Sequence, residues 1–155
     1  MKYLIIAISI LFLTGCIKEE ITLYYAHAKN LTSHKIEIKP YFSRSVPASK
    51  IIVLMANETK EIANGFDRGI AGNVGFNSNY LSGSDSIIIV FDNLYSITHY
   101  FTQPNSFASK YYLYTSNRNI CNKDNYVYTY EDLSKHKREN QYVYEFTEQD
   151  YLYAR

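Results

Sequence analysis

With 155 residues and 46% hydrophobic content, the sequence is long and apolar enough for one domain with a buried core, which excludes disorder for most of the chain. The formal net charge is +1 and no dense basic stretch is present, so nothing favours binding to DNA or RNA, which depends on neutralising phosphates. The four histidines have no short ligand spacing, and the sequence therefore gives no indication of a metal or another cofactor.

Residues 1–15 have the pattern of a removable signal peptide. Lys2 supplies a positive charge, residues 3–13 form an almost unbroken apolar run, and Thr14 and Gly15 are small. As a helix this run would be about 17 Å long, which is too short for the roughly 30 Å hydrocarbon core of a bilayer. Lys2 is the one charged residue of the segment, so residues 16–155 carry 15 basic and 15 acidic side chains.

The end of the apolar run, Leu13-Thr14-Gly15-Cys16, resembles the lipobox of bacterial lipoproteins. The resemblance implies cleavage before Cys16, a diacylglyceryl thioether on its sulfur and acylation of the new amino group. Two or three acyl chains anchor a protein to a membrane stably, whereas one chain holds it only marginally. The alternative is an ordinary secretory signal with an accidental cysteine near its end.

The next residues, Cys16-Ile17-Lys18-Glu19-Glu20, resemble the lipoprotein export signal of Bacteroidetes: a cysteine, any residue, a lysine and then acidic residues. This resemblance implies transfer from the periplasmic face of the outer membrane to the cell surface, with Lys18, Glu19 and Glu20 as the signal. The alternative is a hydrophilic tether on the periplasmic face. We therefore divide the chain into a signal peptide (1–15), a lipidated tether (16–20) and a single β domain (21–155).

The β domain opens with two predicted hairpins. Residues 21–28 and 34–42 are rich in β-branched and aromatic residues and flank a segment with turn chemistry, which predicts the first hairpin. In its second strand, polar and apolar residues alternate, which places Ile36 and Ile38 towards a core. Residues 50–55 and 59–63 predict the second hairpin.

Residues 64–85 contain all five glycines of the mature chain and predict a long loop. Such loops are usually functional or disordered. A third hairpin is predicted from residues 86–91 and 95–101, which turn at Asp92-Asn93. Its first strand lacks alternation, which is typical of a central strand covered on both faces.

Residues 126–130 and 141–146 predict a last strand pair, and Thr147 with Asp150 predicts the capped start of a short helix. Together these elements predict an all-β fold: an antiparallel sandwich or barrel of seven or eight short strands with a short C-terminal helix.

Several segments of the C-terminal half together resemble small uncharacterised lipoproteins of Bacteroidetes. The segments that carry this resemblance are residues 84–89, Phe91, Asp92, Arg118-Asn119 and the ending 142–151. The resemblance implies an envelope protein but brings no established activity. The chain departs from the pattern at Ile120-Cys121, where a Pro-Leu pair is expected, which argues against a shared function for Cys121.

Tyrosine is the compositional peculiarity of the chain, with 12 of its 17 residues between Tyr95 and Tyr153. Alternation places three aromatic residues on one face of each of the last two strands, and we consider two interpretations. The rings form a core and cross-strand ladder, or they form an exposed surface for a sugar or a partner protein. The residues concerned are Tyr126, Tyr128, Tyr130, Tyr142, Tyr144 and Phe146.

Tyr111, Tyr112 and Tyr114 occupy an irregular region and are predicted as possible ligand contacts. Asp85-Ser86-Ile87 resembles the acceptor motif for O-glycosylation in Bacteroidetes, which makes Ser86 a possible modified residue. The overall hypothesis is a lipid-anchored envelope protein that binds a glycan or a protein, or serves as a structural accessory. The alternative is an envelope hydrolase, which a cluster of His99, an acid and Cys121 or a serine would favour.

Overall fold

A computed structural model describes residues 20–42, 45–69 and 83–155 of the chain. Within these residues, nine strands form two sheets around one core, and a short helix follows the last strand. The predicted sandwich with a C-terminal helix is confirmed, and the sheets do not close into a barrel. The sheets are mixed and not purely antiparallel, because each contains one parallel pair, and the described ranges contain nine strands where seven or eight were predicted. The predicted signal peptide, Cys16, Lys18 and Glu19 lie outside the described residues.

The first sheet, sheet A, has four strands. In spatial order they are β4 (Thr59–Gly69), β1 (Glu20–Asn30), β9 (Lys137–Phe146) and β8 (Val127–Ser134). β1 and β9 run parallel, while the other two pairings are antiparallel. The predicted last strand pair is therefore confirmed as the β8–β9 hairpin.

The second sheet, sheet B, has five strands. In spatial order they are β3 (Ile52–Leu54), β2 (Ile36–Tyr41), β5 (Ser86–Phe91), β6 (Tyr95–Tyr100) and β7 (Tyr111–Tyr112). The β5–β6 hairpin is confirmed, and Asp92 and Asn93 form its turn with φ angles of 51° and 60°. β5 is central as predicted, but Ile88 and Val90 are only half-buried, so full coverage of both faces is wrong.

The first two predicted hairpins are wrong, because the strands of each belong to different sheets. β1 pairs with β4 and β9, whereas β2 pairs with β3 and β5. In the same way, β3 lies in sheet B and β4 in sheet A. A turn that crosses between two sheets uses the same small polar residues as a hairpin turn, so the local sequence does not distinguish them.

The Asn30 side chain forms hydrogen bonds to both connections that cross between the sheets. Its buried amide nitrogen donates hydrogen bonds to the carbonyl oxygens of His34 at 2.7 Å and Met55 at 3.0 Å. Its Oδ1 accepts from the backbone N–H and the hydroxyl of Thr32, at 2.9 and 2.8 Å. Since the two carbonyls belong to the β1–β2 and β3–β4 connections, one side chain fixes both.

Alternation in β2 separates the core from a charged outer face, as predicted. Ile36 and Ile38 are completely buried. On the opposite face, Lys35 and Lys39 bind the Glu37 carboxylate at 2.8 and 2.6 Å. Hydrogen bonds from Lys35 and then Lys39 lower the pKa of Glu37.

The predicted loop over 64–85 is wrong for its first part, because residues 64–69 continue β4, and residues 70–82 lie outside the described residues. The absence of a side chain at Gly65 in this strand is explained by packing. A Cβ at Gly65 would overlap the ring of Tyr24 on the neighbouring strand β1, so the glycine allows the close approach of this ring.

The helix α1 (Glu148–Ala154) begins at the predicted capping box. The Thr147 backbone N–H donates to Asp150 Oδ2 at 2.9 Å, and the Thr147 side chain accepts from the Asp150 backbone N–H in return. No helix in the described ranges has the length and apolar character needed to cross a membrane.

Candidate functional site

One face of the β8–β9 hairpin carries a line of aromatic side chains, which are buried in the core at one end and exposed to solvent at the other. At one end Tyr126, Tyr144 and Phe146 are buried, with exposed fractions of 7%, 1% and 1%. Further along, Tyr128 and Tyr130 are 47% and 57% exposed. The core interpretation of this pattern thus holds at one end of the hairpin, and the exposed interpretation holds at the other.

The exposed part of this face, which we call the tyrosine ribbon, contains Tyr128, Tyr130, Asp132, Arg138 and Tyr142. The rings of Tyr128 and Tyr130 are stacked, with centroids 6.1 Å apart and planes 24° apart, and Tyr142 lies 5.0 Å from Tyr128. The Arg138 guanidinium lies 4.6 Å from the centroid of the Tyr130 ring. The faces of the Tyr128 and Tyr130 rings are therefore directed towards neighbours within the ribbon.

The charges of the tyrosine ribbon are paired. Arg138 Nε donates to Asp132 Oδ1 at 2.7 Å, and this hydrogen bond raises the pKa of the guanidinium. The Tyr128 hydroxyl donates to Asn140 Oδ1 at 3.0 Å. Burial, followed by the neighbouring Tyr128, raises the pKa of Tyr142. The ribbon is therefore a neutral surface with fixed hydrogen-bonding groups.

β8 is exposed at all eight of its residues, on both faces, and forms one edge of sheet A. Its exposed side chains include Val127 at 57% and Leu133 at 43%, in addition to the two tyrosines. Across the described ranges, β8 pairs with β9 alone. An exposed edge of this length with apolar side chains is a template on which another extended segment can add a strand.

A groove of about 430 Å³ lies at the tip of the β8–β9 hairpin, beside the first residues of β1. The Ile21 backbone N–H donates to the His136 carbonyl at 2.8 Å, which joins the tip to the start of β1. The His136 Nδ1 atom is buried without a hydrogen-bond partner among the described residues. The groove is lined by Glu20, Ile21, Thr22, Asp132, Ser134, Lys135, His136, Lys137 and Arg138.

The three predicted ligand-contact tyrosines of residues 111–114 are placed differently from one another. Tyr112 packs against the core and stacks on Tyr153, and burial raises its pKa to about 12. Tyr111 stacks on Phe107 with ring centroids 4.6 Å apart. Tyr114 is 43% exposed. The structure therefore does not bring the three rings together on one open surface.

Ser86, the predicted glycosylation site, is 5% exposed and lies in β5 between β2 and β6. Its hydroxyl is therefore not on the surface of the folded domain. Of the predicted anchor and export residues, Glu20 is described, and it is the first residue of β1 opposite Gly69. The last residue of the predicted export signal is thus the first described residue of the domain.

Cys121 and His99, which would favour a hydrolase if they formed a reactive pair, have structural roles instead. The Cys121 thiol is buried, which raises its pKa, and it is directed to the His99 carbonyl at 3.7 Å. His99 Nδ1 accepts the Ile120 backbone N–H at 3.0 Å, and burial lowers its pKa to about 3. The imidazole therefore does not bond to the thiol as a general base would.

Arg118 and Asp150 form a partly buried ion pair that no pattern in the sequence predicts. Arg118 Nε donates to Asp150 Oδ1 at 3.0 Å, its Nη2 atom contacts both Asp150 Oδ2 and the Glu145 carbonyl, and Asp150 is 1% exposed. The Tyr144 hydroxyl donates to the Arg118 carbonyl at 2.6 Å. These bonds connect the segment before β8 with β9 and α1. They thus stabilise the buried end of the hairpin that carries the tyrosine ribbon.

The chain has no match among protein-family models, curated proteins or solved structures. Across the described residues, no group of three or more histidine, cysteine or acidic side chains is placed to hold a metal ion.

Proposed function

We propose that this chain is a lipid-anchored protein of the cell envelope, displayed at the cell surface, that binds a partner protein through the tyrosine ribbon and the edge of β8. The observation that carries the binding proposal is the exposure of all eight residues of β8 on both faces. Exposed aromatic and apolar side chains on an unpaired edge are unusual in a monomer, and they mark surfaces for interaction.

The anchor is supported by the sequence before the described domain. Leu13-Thr14-Gly15-Cys16 follows a short apolar run, and the domain begins only four residues after Cys16. Acyl chains on Cys16 would therefore hold the domain close to the membrane. Lys18, Glu19 and Glu20 support display at the surface, with the periplasmic face as the alternative location.

A protein fits the tyrosine ribbon better than a glycan does. A sugar ring stacks on the free face of an aromatic ring, but the faces of Tyr128 and Tyr130 are turned towards each other and towards Arg138. What remains available is ring edges, hydroxyls and the backbone edge of β8. These groups match an extended polypeptide, which gains main-chain hydrogen bonds along the edge and side-chain contacts on the tyrosines.

The anchor is tested by fractionating cells that produce the Cys16→Ala variant. We expect this variant to leave the detergent phase, because it lacks the sulfur that carries the lipid. If it stays in the detergent phase, the anchor at Cys16 is wrong. Export is tested by replacing Lys18, Glu19 and Glu20 with alanine, which should protect the protein from protease added to intact cells, whereas lysed cells serve as the control for its amount.

The binding surface is tested by cross-linking the full-length protein in intact cells and comparing variants. We expect the combined Tyr128→Ala and Tyr130→Ala variant to lose its cross-linked adducts by about tenfold or more, since tyrosines at the centre of an interface carry much of its energy. Leu94→Ala removes a 75% exposed apolar side chain elsewhere and is the matched control.

Two other outcomes of this experiment contradict the proposed surface. Loss of adducts in Tyr114→Ala, with the ribbon variant unchanged, would assign binding to the 111–114 segment instead. Release of the protein's partners by glycosidase treatment alone would show that the ligand is a glycan.

A further inference from the structure

The tip of the β8–β9 hairpin lies at the same end of the domain as the start of β1. Ile21 is the register partner of Lys137, and its backbone N–H bonds to His136 at 2.8 Å. Ile21 is the fifth residue after Cys16, and even a fully extended chain spans at most about 18 Å over these five steps. Whatever path the tether takes, Ile21 therefore stays within this distance of the predicted lipidated residue, and the tip lies at most one strand spacing of about 5 Å further away.

The same tip carries a concentration of positive charge. Lys135 and Lys137 are exposed, and neither forms an ion pair among the described residues. The two carboxylates of the groove are Glu20 and Asp132, and Asp132 is bonded to Arg138. Within the groove the two lysines therefore exceed the remaining carboxylate, while Glu131 and Glu139 lie opposite each other further along the hairpin.

We propose that the hairpin tip, residues 134–137, is a second membrane contact, which binds the anionic headgroups of the lipid surface in which Cys16 is anchored. The proposal rests on the lipid anchor of the preceding section. A tether of this length allows Lys135 and Lys137 to reach the headgroups, and basic side chains within a Debye length of anionic lipids are attracted by them. The acyl chains supply the attachment, and the tip supplies the orientation.

The contact has a direct consequence for the binding surface. β1 and β9 run parallel away from the tip, and the rise per residue of a strand is about 3.3 Å. Tyr130 and Tyr128 lie opposite Asn140 and Tyr142, three and five residues beyond Lys137, so they stand about 10 and 17 Å further from the tip. The acyl chains and the hairpin tip together would hold β8 pointing away from the membrane surface. Its edge would then be open to a partner at the side of the domain.

The test uses the full-length lipidated protein reconstituted into two kinds of vesicles, phosphatidylcholine alone and phosphatidylcholine with an equal amount of phosphatidylglycerol. Lysines are labelled with an amine-reactive reagent and quantified by mass spectrometry. We expect labelling of Lys135 and Lys137 to fall by about threefold or more on the anionic vesicles, and high salt to restore it. Lys123, exposed before β8 at the opposite end, is the internal control and should be labelled equally.

Two variants sharpen the test. Lys135→Glu should remove the protection of Lys137 on anionic vesicles, because it cancels the positive excess of the tip. Lys123→Glu makes the same charge change away from the tip and should leave the protection of Lys137 intact.

The outcomes separate this inference from the anchor on which it rests. If the protein floats with both kinds of vesicles but Lys137 is labelled equally on each, the headgroup contact is overturned and the anchor stands. If the protein does not float with either kind of vesicle, the anchor fails and the inference fails with it.

Discussion

The two ends of the β8–β9 hairpin are built from similar residues but have opposite surroundings. At the end near α1, Tyr144 and Phe146 are completely covered, and the Arg118–Asp150 ion pair closes the structure around them. At the end near the hairpin tip, Tyr128 and Tyr130 lie open to solvent. The difference teaches that a line of tyrosines can begin as core and continue as surface within one pair of strands.

The largest effect is expected at the buried end. Tyr144→Ala removes a side chain that is 1% exposed and leaves a cavity, so we expect the free energy of unfolding to fall by about 3–5 kcal/mol. Urea denaturation measures this change. Tyr144→Phe keeps the ring and loses only the hydrogen bond to Arg118, and should cost about 1 kcal/mol. Equal losses in the two variants would show that the ring is not part of the core.

The ion pair should have the next largest effect. Asp150→Asn leaves the partly buried Arg118 without its charged partner and weakens the cap of α1, so a loss of about 3 kcal/mol is expected. The matched change at the open end is Asp132→Asn, which breaks the exposed pair with Arg138 and should cost much less, because solvent screens an exposed pair. Comparable losses at the two positions would contradict the contrast between the ends.

His99 makes the buried end sensitive to acid. Burial, followed by the charge of Arg118, lowers the pKa of His99 to about 3, so the unfolded chain binds a proton that the folded chain excludes between about pH 6.5 and pH 3. The contribution of His99 to the free energy of unfolding is therefore fully present above about pH 6.5 and is lost as the pH falls. The free energy of unfolding should be about 2 kcal/mol lower at pH 5. Urea denaturation at pH 7 and pH 5 measures the loss.

The control for this pH dependence is His99→Gln, which removes the titrating group. In this variant the difference between the two pH values should shrink by about the same amount. A variant that keeps the full pH dependence would show that another group is responsible.

The smallest effect on stability, with the largest effect on binding, is expected at the open end. Tyr128→Ala and Tyr130→Ala remove exposed side chains, so each should change the free energy of unfolding by about 0.5 kcal/mol or less. Together they should abolish most of the cross-linking described above. If they destabilise the domain as strongly as Tyr144→Ala does, the ribbon is structural and the proposed binding surface is wrong.

Local sequence was sufficient for features that depend on neighbouring residues. The β5–β6 and β8–β9 hairpins and the capping box at Thr147 were all predictable, because each arises from contacts within a short segment. The β1–β2 and β3–β4 connections were not, since whether a strand turns back on itself or crosses to the other sheet depends on remote partners such as β9.

The candidate site was predictable only in part. Alternation placed Tyr126, Tyr128 and Tyr130 on one face. It could not show that Tyr126 is buried in the core while Tyr128 and Tyr130 are exposed to solvent. The segment 111–114 suggested an open surface in which Tyr112 is in fact packed against the core. Lys135 and Lys137 carried no sign of their position, because their closeness to the N-terminus follows from the parallel pairing of β1 with β9.

The sequence by itself determined the β character and the C-terminal helix, since periodicity and capping are local properties, and a short motif predicts the anchor at Cys16. The tertiary structure decided which strands share a sheet, which tyrosines are exposed and which lysines stand beside the tether. The physical reason is that burial and proximity depend on residues far apart in the chain, and only the packed fold brings them together.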